Sequence, residues 1–64
     1  MLNNDPPPGT RVRFVMEFRK AKAQDVGTLV RALGKYDVDR PGDLFEVRFG
    51  TEVYEVPRQV IDKA

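Results

Sequence analysis

"FRKAKAQDVGTLV", Phe18 to Val30, decides the fold, because it reads as one amphipathic helix or as a charged loop running into a strand. For the helix, Ala21, Lys22, Ala23 and Gln24 are good helix formers. Val26, Leu29, Val30 and Leu33 recur at helical spacing, and Gly34 sits where a helix would stop. Against it, Gly27 and Thr28 interrupt the middle, and glycine alone costs about 1 kcal/mol relative to alanine there. "DVGTLVRAL" also reads as a strand in which Gly27 marks a bulge or a sharp bend. Local physics leaves the two nearly balanced, so the flanking sequence has to arbitrate.

On the N-terminal side, "RVRFVMEF", residues 11 to 18, alternates. Val12, Phe14, Met16 and Phe18 share one face and Arg11, Arg13, Val15 and Glu17 the other, the period of a half-buried strand. The C-terminal side is clearer still. In "LFEVRFGTEVYEVP", Phe45, Val47 and Phe49 alternate with Glu46 and Arg48, and the pattern resumes after Gly50-Thr51 through Val53, Tyr54 and Val56. Gly followed by another residue is the signature of a type II′ turn, so this segment is a β-hairpin. Val53 and Tyr54 lie on opposite faces, and one of them is exposed. Pro57 cannot donate to a ladder and suits the start of a short helical turn, after which "QVID" leaves room for a brief last strand.

Sixty-four residues make one small domain. A chain of this size buries only about 60% of the surface that its unfolded form exposes. Small domains often add disulfides or a metal, but there is no Cys and no His here. The opening "NNDPPPGT" reads as an extended, frayed leader over residues 1–9, with a single folded domain over 10–64. The lack of Cys and of any signal-like or membrane-length apolar run points to the cytoplasm and to no membrane partner.

The net charge is +1, but it is unevenly spread: residues 11–35 hold seven basic and two acidic side chains, residues 36–64 four basic and seven acidic. Arg19, Lys20 and Lys22 head the basic part. With Arg31, Lys35 and Tyr36 they form the candidate partner-binding set, and Tyr36 could stack on a base if the partner were a nucleic acid. Without His, Cys or Ser, the commonest bases and nucleophiles are missing, so neither catalysis nor a cofactor is expected. "DVDRPGDLFEVR", from Asp37, imitates a calcium loop at its first, third and sixth positions. Its fifth position is Pro41 and its twelfth Arg48, where an oxygen ligand and a bidentate Glu belong, so no metal is expected.

Taken together, "PGTRVRF", a polar segment, "DVGTLV", an acidic Pro/Gly loop, "FEVRF" and "VYEVPRQVI" resemble small SH3-like barrels. The pattern is similar to the photosystem I subunit of that fold, to the SH3-like nitrogen-fixation accessory family and to KOW-type modules. Gly9, Val26-Gly27-Thr28 and Phe45 to Phe49 stand where those families place a glycine before the first strand, a turn opening the second, and the middle strand. The photosystem subunit's long final loop has no counterpart here, and "YEVPRQV" replaces the Cys-containing ending of the nitrogen-fixation family. The resemblance therefore carries a fold and not a pathway.

The resemblance favours an all-β, SH3-like barrel of about five strands over the alternative, an α+β fold with a helix over residues 20–33 on a three-stranded antiparallel sheet. It makes residues 16–24 the long first loop, anchored by Phe18. A compact fold without catalytic residues and with a local charge patch points to a non-enzymatic interaction module or accessory subunit of a larger, bacterial-type complex, docking on a protein partner through the basic loop and barrel surface. The alternative is a KOW-like nucleic-acid-binding barrel.

Overall fold

The computed structural model describes Leu2, residues 5–33 and residues 44–64. Five strands run through them: β1 (Arg11–Phe14), β2 (Val26–Leu33), β3 (Leu44–Phe49), β4 (Glu52–Pro57) and β5 (Ile61–Lys63). A 3₁₀ turn, Arg58–Val60, joins β4 to β5. All pairings are antiparallel, in one sheet of order β4-β3-β2-β1-β5. The domain is thus the small five-stranded SH3-like barrel expected, and the α+β alternative is overturned: Val26–Leu33 is a strand paired on both sides.

Gly27 explains why that stretch is a strand, though not through a bulge. The register slips between Leu29 and Arg31, not at Gly27. A Cβ on Gly27 would lie 2.8 Å from the Arg48 carbonyl and 2.8 Å from Val47 Cγ1, closer than real contacts allow. Glycine therefore permits the close approach of β2 to β3, which a side chain would prevent.

The period-2 patterns place the core. Val12 and Phe14 of β1, Leu29 of β2, Phe45 and Val47 of β3, and Tyr54 and Val56 of β4 are all buried. Tyr54 is the inward residue of the ambiguous pair and Val53 the exposed one. The β3–β4 hairpin closes on Gly50-Thr51, with Phe49 opposite Glu52 and Gly50 at φ +64°, as a type II′ turn requires. Pro57 ends β4, an edge strand whose missing donor costs no ladder bond, and it caps the 3₁₀ turn.

Two expectations need correcting. The first strand does not run to Phe18: it ends at Phe14, and the Val15 N–H that follows, donated to the Val60 carbonyl (2.8 Å), extends only the pairing with β5. Met16, assigned to the buried face, is consequently exposed. The fold also reaches back before Thr10. Leu2 is buried in the core, its N–H donates to the Arg58 carbonyl (3.4 Å), and Arg58 Nη1 donates to the Leu2 carbonyl (3.1 Å). Arg58 also bonds Asp5 (2.7 Å) and lies 4.9 Å from the Phe45 ring centre.

Candidate functional site

The loop between β1 and β2 carries its own small framework. At its base, the Phe14 N–H donates to the Asp25 carbonyl (2.8 Å) and the Gln24 N–H to the Phe14 carbonyl (2.7 Å). Midway, Phe18 and Ala21 exchange both backbone hydrogen bonds at 2.9 Å, closing a two-residue turn on Arg19 and Lys20. Ala21 is fully buried beneath it. A further turn is set where the Lys22 N–H donates to Asp25 Oδ2 (3.0 Å) and the Asp25 N–H to the Lys22 carbonyl (2.9 Å).

This framework stands on a closed circuit of four aromatic rings. Phe14 meets Phe18 (6.4 Å between centres) and Phe49 (5.8 Å), and Tyr54 meets Phe18 (6.1 Å) and Phe49 (6.2 Å). Such pairs contribute about 0.5–1.5 kcal/mol each beyond simple burial. The Arg19 guanidinium lies 5.7 Å from the centres of both Phe18 and Tyr54, within cation–π range. Phe18 is therefore the anchor that the sequence suggested.

Arg19 takes φ +54°, a left-handed backbone that L side chains rarely adopt. The Lys20 ammonium donates to Glu52 Oε2 at 3.0 Å, tying the loop to the start of β4. That hydrogen bond, and then the charge of Glu52, raise the lysine's pKa above its ordinary value. Lys22 is exposed, and its ammonium has no carboxylate partner among the described residues.

Arg19, Lys20 and Lys22 thus come together, as expected, on one short framework. Arg31 does not join them. It sits opposite Glu46 on the outer side of the sheet, with Nε donating to Oε1 (2.9 Å) and Nη2 to Oε2 (3.4 Å), and this pairing raises its pKa. Lys35 and Tyr36 lie outside the described residues, as does most of the segment that imitates a calcium loop.

Two contributors were missed. Glu52 and Tyr54 belong to a distant hairpin, and nothing local in "TEVYEV" says that they meet the first loop. The arrangement offers fixed positive charge beside partly exposed aromatic surface, a combination suited to binding. Among the described residues no group of His, Cys, Asp or Glu could hold a metal ion, and no helix is long and apolar enough to cross a membrane. No protein-family model, no curated protein and no solved structure matches this chain.

Proposed function

We propose that this chain is a non-enzymatic protein-interaction module, an accessory subunit or adaptor that docks on an acidic surface of a larger protein through Arg19, Lys20 and Lys22. The observation that carries this reading is the backbone of Arg19. A non-glycine residue at φ +54° costs roughly 1–2 kcal/mol. An exposed cation–π contact offsets only about 0.5–1 kcal/mol of that. Glycine would make the same turn more cheaply, so the guanidinium at this point supports a use beyond stability. A loop already tied by backbone bonds and by Lys20–Glu52 also loses little freedom on binding. The proposal places the module in the cytoplasm, in keeping with a chain that uses no cysteine.

The test is a pull-down from the cells that make the protein, using the full chain and a variant with Arg19, Lys20 and Lys22 all changed to Glu. We expect the partner captured by the native chain to be lost; equal capture by the variant dismisses the reading. Binding of nucleic acid by the same loop is separated by titration with an oligonucleotide, whose affinity would fall steeply with salt.

A further inference from the structure

We propose that the outer face of the sheet is a second docking surface, which takes an acidic, partly apolar segment of a partner protein on Arg11, Arg13 and Arg48. The first loop packs on Phe14 and Tyr54, both inward residues of their strands. Alternation puts Arg11, Arg13 and Arg48 on the opposite side of the same strands, so this surface is distinct from the loop.

Register brings the arginines together. Arg11 stands opposite Thr28, and Thr28 opposite Arg48, in one row across three neighbouring strands. At about 4.8 Å per strand, the two arginine backbones are about 10 Å apart, and Arg13 follows about 7 Å along β1. Arg11 and Arg48 are exposed, and neither has a carboxylate partner among the described residues. Arg13 pairs with Asp62, directly opposite it on β5, at the longer distance of 3.6 Å. Arg31 and Arg58, by contrast, hold carboxylates at 2.9 and 2.7 Å. Guanidiniums gathered in one row repel one another, and a partner's carboxylates would relieve that repulsion.

The surroundings select the kind of partner. Val26 stands opposite Arg13 and Val53 opposite Arg48, and these valines are 41% and 51% exposed. Arginine beside exposed aliphatic surface, without lysine, is the composition of a protein–protein interface. A single-stranded nucleic acid would need aromatic side chains for its bases, and no outward position of the five strands carries one.

At the other end of the face, Glu55 stands opposite Glu46, which Arg31 already engages. Those glutamates repel carboxylates there and so set the direction in which an acidic segment lies. Among the described residues, a second copy of the chain fits less well: Glu55 is the one carboxylate left over at that end, against two guanidiniums without a carboxylate partner at the other.

The full chain, labelled with ¹⁵N, is titrated with a synthetic peptide in which pairs of glutamates alternate with single leucines, and with oligothymidylate as the rival probe. We expect the peptide to shift the amides of Arg11, Val26, Thr28, Arg48 and Val53. Changing Arg11 and Arg48 together to Glu should weaken binding by about tenfold or more. Should that variant lose its dispersed spectrum, Arg11→Gln with Arg48→Gln gives the same reading with a smaller loss. In a variant with Arg19→Glu and Lys22→Glu the peptide-induced shifts at Arg11, Val26, Thr28, Arg48 and Val53 should persist whatever happens at residues 18–22, so the loop proposal stands or falls separately. Shifts confined to residues 18–22, no shifts at all, tighter binding of oligothymidylate at the same amides, or shifts that follow protein concentration without peptide would each overturn the proposal.

Discussion

Two turns in this domain have the same outline and different chemistry. Each is a two-residue turn closed by facing backbone partners, Phe49 with Glu52 and Phe18 with Ala21, and each puts its first residue at positive φ, +64° and +54°. The first uses Gly50, which meets no steric cost because it has no Cβ. The second uses Arg19, whose backbone is costly by itself and is held by what lies around it: rings below, Lys20 bonded to Glu52, and Ala21 buried. One turn is set by its own residues and the other by tertiary contacts. The Lys20–Glu52 pair joins them directly, since Glu52 is the first residue after the glycine turn.

The strongest way to break this relation is Phe14→Ala. Its ring touches both Phe18 and Phe49, so its loss should destabilise the domain by about 3–5 kcal/mol in urea unfolding. A loss below about 1 kcal/mol would mean that the two turns do not share a core. Gly50→Val comes next, at about 1–2 kcal/mol, because valine is forced into the left-handed region. Arg19→Gly should change stability by less than about 1 kcal/mol, backbone relief offsetting the lost ring contact. If it destabilises as much as Gly50→Val, the rings hold Arg19 harder than this account allows.

The smallest effect belongs to Lys20. Its pKa is raised in the folded state, so its link to Glu52 stabilises fully below the unfolded lysine value and fades as pH rises through the higher folded value. Both partners are exposed, so the difference between the native chain and Lys20→Met in alkaline melts should be slight and should shrink with added salt.

The same division governs what could be read from the sequence. β3 was legible residue by residue, because alternation fixes its faces, and Gly-Thr marks the turn into β4. The strand over Val26–Leu33 was legible only through the barrel pattern, in which Gly27 is an asset, and the reason, a carbonyl and a methyl where its Cβ would stand, belongs to a neighbouring strand. Arg-Lys is not a turn dipeptide, so the inner hairpin of the first loop was invisible, although Phe18 as its anchor was not. Val53 and Tyr54 could be told apart only by knowing which face of β4 meets Phe49 and Phe18. Arg31 was grouped with the loop by nearness in sequence, whereas sheet register commits it to Glu46.

Leu2 had no sequence signal, since one leucine in a proline-rich opening has no periodicity to reveal a destination. Yet it hydrogen-bonds with Arg58, 56 positions away, and β1 takes β5 as a neighbour through Val12 and Lys63. Leu2 and Arg58, like β1 and β5, are therefore brought together from opposite sides of the domain's sequence. During synthesis, β1 lacks its second neighbour until β5 has emerged, so the sheet cannot be completed before then. Such non-local closure is slow, on the order of milliseconds to seconds.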